Sequence, residues 1–301
     1  MDSKFSGLPD LRTIQPGRLI KYRISDDGFA AELLLPGLTY TDFDQKIGGK
    51  MNLWSLAKLF ESIRYVVLPN GFCHYNRLKD VGHSIFNAET SYHLSDKGNK
   101  LKAQTHWGTN YLMHAHLKVF YAGTSAFSFE IIVREHETGD FLAKALLTFV
   151  YVDFKTRRPA TFPDWFNKLK ENQHFGPPSP RLARPSIPLD AYKFEIQAAF
   201  SDIDFNGHVN NSIYIKWCTD AGTEAALKGH YSGFSENIGK YPMDVFEIKY
   251  LGEGVVSDVF EILTWQDQEN PFVLHFVFTK NEKVSVVVRF QYKSLQFSAK
   301  L

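Results

Sequence analysis

The order strand, helix, four strands occurs twice in this chain, on either side of one proline-rich stretch. That repetition narrows the fold more than any single motif. The stretch is FGPPSPRLARPSIP, with Pro177, Pro178, Pro180, Pro185 and Pro188. Proline fixes φ and carries no N–H, so the segment reads as an extended linker or surface crossing. After it, KFEIQAAF alternates Phe194, Ile196, Ala198 and Phe200 on one face, the period of a strand. A helix is predicted over residues 211–228, where Lys216, Thr219, Asp220, Thr223 and Glu224 form a polar stripe. The wide apolar remainder, Ile213, Tyr214, Trp217, Ala221 and Ala225, needs protein on most sides. Four strand candidates follow: DVFEIKY, SDVFEILTW, FVLHFVFTK and VSVVVRFQYK. A polar TKNEK separates the last two, as a hairpin loop does.

The first half has the same order. LIKYRI and FAAELLL are strand candidates, and a helix is predicted over 52–68, with Ser55, Lys58, Ser62 and Tyr65 on its polar stripe. Then come HSIFNAETSYHL, LKAQTHWG continuing to MHAHLKVF, AFSFEIIVRE and FLAKALLTFVYVD, with HETGD as a hairpin turn. Laid over each other at their helix entries, the halves read GKMNLWSLAKL and GHVNNSIYIKW. The residues are weakly alike and the element order strongly so. Two copies of one α+β module is the economical reading, and two unrelated α+β domains the other.

Composition bounds the function. A chain of 301 residues has length for two such modules, and 26 Phe with 15% aromatics supply cores and material for a lined cavity. Basic and acidic residues, 34 against 33, nearly cancel, so the whole chain is not drawn to nucleic acid or an anionic membrane. Cys73 and Cys218 give neither a disulfide framework nor metal spacing, which fits a reducing, cytoplasmic setting. MDSKFSGLPDLRTIQPGR lacks the apolar core of a signal peptide, and no run of about 18 apolar residues predicts a membrane span. No Gly-rich phosphate loop, Gly-x-Ser-x-Gly elbow or nucleic-acid module is visible, so no cofactor is expected. His106, His114 and His116 crowd THWGTNYLMHAH, but no carboxylate or Cys joins them at motif spacing, and no metal site is predicted. Arg157, Arg158, Lys168 and Lys170 form a basic cluster, read as solvated surface, with an acidic carrier protein or a CoA phosphate as the alternative.

Chemistry concentrates in FSDIDFNGHVNNSIYIKW. In an extended segment Asp204, Asn206 and His208 share one side, and Gly207 supplies an unusual backbone conformation. The helix that follows presents free N–H groups and a positive dipole end, where a carbonyl oxygen finds oxyanion donors. Base, hydrogen-bond donor and oxyanion site together suit acyl transfer to water. The other reading is a capped turn without a site, because Asp and Asn are the commonest turn and N-cap residues.

These residues resemble the entry to the central helix in hotdog-fold thioesterases, and within them the acyl-acyl-carrier-protein thioesterases of plants and bacteria, which carry two hotdog modules in one chain. VYVDFKTRRPATFPDWF resembles the segment closing that family's first module, and FEIKYLGEG the strand carrying its catalytic Glu. The tandem order covers roughly residues 15–295. The resemblance implies a tandem hotdog, each module an antiparallel sheet around a central helix. Residues 1–165 are then an N-terminal, catalytically silent, pocket-forming module, 166–190 a Pro-rich linker and 191–301 the module carrying the catalytic residues. It places Asp204, Asn206, His208 and Glu253 on the family's Asp, Asn, His and Glu. The family's adjacent Cys is Gly254 here, which argues against a Cys-based mechanism, and Cys218 reads as core. In the first half Lys46, Gly48 and Lys50 stand opposite Asp204, Asn206 and His208. The apolar residues of the first helix, Leu53, Leu56, Ala57 and Phe60 among them, are assigned to an acyl pocket.

The expected activity is hydrolysis of a fatty acyl thioester, carried by acyl carrier protein or CoA, with Glu253 or Asp204 as base toward water. Direct carboxylate attack through an anhydride is the other route. A non-enzymatic carrier of a lipid or pigment is the rival reading. A dehydratase on the same fold needs a differently placed His and acid pair. The sequence is compatible with a homodimer.

Overall fold

The computed structural model describes residues 3–79, 82–102 and 112–294. The chain forms two compact units: Met1–Tyr40, Lys58–Thr90 and Gln104–Arg181 make one, and Thr41–Ala57, Ser91–Ala103 and Leu182–Leu301 the other. Two pieces from the N-terminal half of the sequence therefore fold with the C-terminal half, and the division falls inside the first helix and again inside the strand His83–Leu94, both described below with the first unit.

In the first unit, β1 (Lys21–Ile24) pairs with β2 (Ala30–Leu35). The long helix α1 is Leu53–Val67, and the strands after it are β3 (His83–Leu94), β4 (Met113–Ala122), β5 (Ala126–Glu135) and β6 (Phe141–Asp153). The sheet order is β1-β2-β4-β5-β6-β3, with β1-β2, β2-β4, β4-β5 and β5-β6 antiparallel. Phe60, Ile63 and Val67 of α1 are fully buried, and the Arg64 guanidinium lies 5.7 Å from the ring centroid of Phe149 on β6. A second helix, α2 (Asp164–Glu171), buries Phe166 against Phe127 and Phe162, within the stretch read from sequence as module end and linker. Residues 103–111, which carry His106 and most of LKAQTHWG, lie outside the described residues.

The second unit contains β7 (Tyr192–Gln197), α3 (Asn211–Leu227), β8 (Met243–Tyr250), β9 (Val259–Gln266), β10 (Val273–Lys280) and β11 (Lys283–Tyr292). Its antiparallel order is β8-β11-β10-β9-β7. The apolar stripe of α3 lies on this sheet: Trp217 is 5.6 Å from Phe260 and Tyr214 is 5.4 Å from Phe278, centroid to centroid. Burying each such ring contributes about 1.5–3 kcal/mol. At Gly222 an added Cβ would meet Ile238 at 2.6 Å and Phe276 at 3.1 Å, so the missing side chain permits the close approach of helix to sheet. The TKNEK hairpin is a two-residue loop: Lys280 faces Lys283, and Asn281 and Glu282 both adopt positive φ, 50° and 61°. That is the turn whose twist matches antiparallel strands.

Each unit is thus an antiparallel sheet with one long helix, as the α+β hotdog expectation has it. Among the described residues no helix is long and apolar enough to cross a membrane.

Candidate active site

The segment before α3 is not extended. Asp204 N–H donates to His208 O at 2.7 Å and Gly207 N–H to Asp204 O at 3.0 Å, with Ile203 bridged to Val209. Gly207 sits at φ 81°, which the tight reversal requires. The Asp204 carboxylate closes the turn: Oδ1 accepts from the amides of Asn206 at 2.8 Å and His208 at 3.3 Å. Asn206 Nδ2 lies 3.4 Å from the second oxygen, at the exposed tip. A period-two reading of the sequence misses this, because an Asp side chain competes for backbone donors and folds the strand back on itself.

The turn is tied to a second loop. Val209 N–H donates to Gly254 O at 2.8 Å, which sets His208 beside Glu253. His208 Nε2 lies 3.3 Å from Glu253 Oε2, with the two side chains 28% and 38% exposed. Water reaches the pair. The structure therefore brings His208 and Glu253 together, with Asp204 in the turn beneath them and Asn206 at its tip.

The backbone donors are nearly all committed. The amide of Asn210 donates to Asp202 O at 2.9 Å, and Asn210, the N-cap of α3, accepts from Ser212 N–H at 2.9 Å on its side chain and from Ile213 N–H at 2.9 Å on its carbonyl. With 206–209 bonded as above, Asn211 N–H is the donor of this stretch without an acceptor among the described residues. The free N–H cluster expected at the helix start reduces to that one group, because the N-cap takes the others.

Three side chains that the sequence reading did not single out support the Glu253 loop. Lys280 Nζ donates to Glu253 O at 2.9 Å and to Asp258 Oδ2 at 2.8 Å, and Val255 N–H donates to the same carboxylate at 2.8 Å. Burial opposes ionisation of Asp258, but the Lys280 and Val255 bonds outweigh it and hold its carboxyl below the usual range. Tyr214 lies under Gly254: burial pushes its hydroxyl up, partly offset by a hydrogen bond from the Gly254 backbone. An added Cβ at Gly254 would meet Phe260 and Tyr214 at 2.7 Å each and Val209 at 2.9 Å. The Cys that the family resemblance puts at this position has no room here. Both cysteines of the chain are buried, and burial pushes their thiols well up, Cys218 with Asp220 adding to it. Neither is poised as a nucleophile.

On α1, Leu53, Leu56, Ala57 and Phe60 fall at i, i+3, i+4 and i+7 of one face, and all four are buried. Of the basic cluster, Arg157, Arg158 and Lys168 are exposed, whereas Lys170 is built into the fold: it donates to Gly123 O at 2.6 Å and lies over Phe162 and Phe166. His114 and His116 sit on β4, and no group of three or more metal-ligating side chains forms among the described residues.

Residues 189–294, which hold the turn, the Glu253 loop and the sheet between them, match the family model described as the acyl-ACP thioesterase C-terminal domain. Over those residues the chain is similar to the C-terminal domain of acyl-ACP thioesterases. No curated protein matches the chain by sequence. Solved structures extend the likeness of fold to both units. The chain is similar to an acyl-ACP thioesterase from Bacteroides thetaiotaomicron, at 16% identity over 88% of this chain and 98% of that one, TM-score 0.63. It is also similar to a putative oleoyl thioesterase from Lactobacillus plantarum, at 15% identity over 89% and 96%, TM-score 0.65. A 12:0-ACP thioesterase from Umbellularia californica matches at 13% identity over 92% and 98%, TM-score 0.66. At such identities the likeness is one of fold, and it bears out the tandem hotdog expectation.

Proposed function

We infer that the chain hydrolyses fatty acyl thioesters to a free acid and a thiol, with Glu253 and His208 as the reacting pair. The observation that carries this reading is the 3.3 Å approach of His208 Nε2 to Glu253 Oε2, inside the segment that matches the thioesterase domain. Glu253 accepts a proton from water, and the hydroxide attacks the thioester carbonyl. His208 holds the carboxylate through its ring N–H, and the proton returns to the departing sulfur. We assign the developing oxyanion to Asn206 Nδ2 and to Asn211 N–H, the backbone donor of the helix entry without an acceptor among the described residues. Asp204 acts through the turn that carries Asn206 and His208. Exposed Phe205, Val255 and Val256 flank these residues in the chain and suit an apolar substrate at the entrance. We assign the acyl chain to the α1 face of Leu53, Leu56, Ala57 and Phe60, and the thiol to acyl carrier protein.

The test is thiol release from acyl-ACP and acyl-CoA by the purified chain and by Glu253→Gln. Gln keeps the size but takes no proton at neutral pH, so hydrolysis falls by about 10²-fold or more while acyl binding persists. A wild-type chain that binds acyl groups and releases no thiol is a carrier, and the proposal fails.

A further inference from the structure

Glu253 lies on the loop between β8 and β9, outside any strand, with Leu251, Gly252, Glu253, Val255 and Val256 all exposed. A general base must nevertheless be held within a fraction of an ångström of its working position. The loop is held at both ends by one cation. Lys280, the last residue of β10 before the two-residue hairpin, donates at once to Glu253 O (2.9 Å) and to Asp258 Oδ2 (2.8 Å), and Asp258 accepts from Val255 N–H (2.8 Å). Both side chains are only about a quarter exposed, at 26% and 22%, so solvent screens the pair little. The rest of the Glu253–Gly254 segment is fastened by Val209 N–H and by the Tyr214 hydroxyl. Backbone bonds tie the loop's flanks: Leu251 and Gly252 N–H donate to Ser285 O, Ser257 N–H donates to Ala198 O, Ala198 N–H donates to Asp258 O, and Asp258 N–H closes on Val255 O. The charged clamp adds the side-chain tie that joins Glu253 O to Asp258 across the loop.

We propose that Lys280 and Asp258 are positioning residues for the thioester hydrolase site: together they hold the Glu253 loop so that its carboxylate meets His208. This rests on the hydrolase reading above. Lys280 touches no reacting atom, and its effect runs through the Glu253 backbone.

The test uses the full chain with palmitoyl-CoA and two readouts. Lys280→Met is expected to lower kcat by about tenfold or more with KM within twofold, and Lys280→Arg, whose guanidinium still reaches both oxygens, to restore most of it. In the Glu253→Gln background Lys280→Met should have little further effect, because the group it positions is already disabled. A tenfold loss that is equally large with and without the Glu253 carboxylate, or unchanged kcat in folded Lys280→Met, overturns the proposal. The second readout is amide exchange at Val255, expected to accelerate about tenfold in Lys280→Met as Asp258 loses its partner. Wild-type chain that releases no thiol sinks the hydrolase reading alone. In that case exchange still decides the clamp, and unchanged exchange at Val255 overturns it.

Discussion

Two turns in the second unit are built alike, and one of them carries the His–Glu pair. In the C-terminal copy Asn210 N–H bonds Asp202 O at 2.9 Å, Gly207 N–H bonds Asp204 O at 3.0 Å, and Asp204 Oδ1 accepts from Asn206 N–H at 2.8 Å. In the N-terminal copy Asn52 N–H bonds Asp42 O at 2.9 Å, Gly49 N–H bonds Asp44 O at 2.9 Å, and Asp44 Oδ1 accepts from Lys46 N–H at 2.8 Å. Phe43 pairs with Met51 as Ile203 does with Val209. The N-terminal turn is longer: residues 45–48 lie between Asp44 and Gly49, where only 205 and 206 lie between Asp204 and Gly207. Asp44, not Lys46, therefore stands where Asp204 stands. The same aspartate does the same backbone work in a turn without the pair, so its hydrogen bonds belong to the fold. What separates the copies is His208 against Lys50, and Glu253 against a loop in which Lys102 bridges to Lys50.

The strongest way to break this comparison is His208→Ala. If the pair is the chemistry, hydrolysis falls by roughly 10²-fold or more. Full activity in a folded variant removes the imidazole from the mechanism. Next is Gly254→Ala, for which overpacking against Phe260, Tyr214 and Val209 predicts about 1–3 kcal/mol of lost stability. Denaturant unfolding measures it, and no loss would mean the loop shifts freely and the distances around Glu253 are not enforced. Third is the matched pair Asp44→Ala and Asp204→Ala. Both lose a turn-closing acceptor and should cost similar stability, about 0.5–2 kcal/mol by analogy with cap removal. Only Asp204→Ala should also lower turnover, and by less than His208→Ala does. Equal losses of turnover would place both turns in the mechanism.

Periodicity made the long elements legible, since α3, β3, β5 and β6 follow stripes and alternations that only a sheet or an enclosed helix satisfies. His208 and the helix entry were legible from the residues themselves, and Glu253 through the family resemblance. The turn was not. Aligning the copies without a gap hid the two extra residues and put Lys46 opposite Asp204, because Gly48-Gly49 at φ 77° and 71° lengthens the reversal without changing its closing bonds. Nor was Lys280 legible: in sequence it is one more polar residue of a hairpin, and its reach to Glu253 O exists only once two distant loops have met.

The smallest expected effect is at Lys50, and its sign can be worked out. Lys50 Nζ bonds Lys240 O, a contact worth about 0.5–1.5 kcal/mol net in the usual case. Against that, burial and then the charge of Lys102 hold its pKa below the usual lysine range, with Glu236 opposing. A lysine whose folded pKa is depressed weakens the fold most where both states are charged, below the folded value, and the penalty fades as pH rises toward the unfolded one. Lys50→Met removes the bond and the penalty together. Stability at neutral pH should therefore move by less than about 1 kcal/mol, and any gain should shrink as the pH approaches that of an unfolded lysine. Turnover should stay within about twofold, because the residue holds neither proton nor substrate in the mechanism above. Lys50→His sharpens the comparison further. It supplies an imidazole on a residue bridged to Lys102, away from Glu253, and in a His208→Ala chain it should restore nothing. Recovery of thiol release there would show that the N-terminal turn has a base of its own.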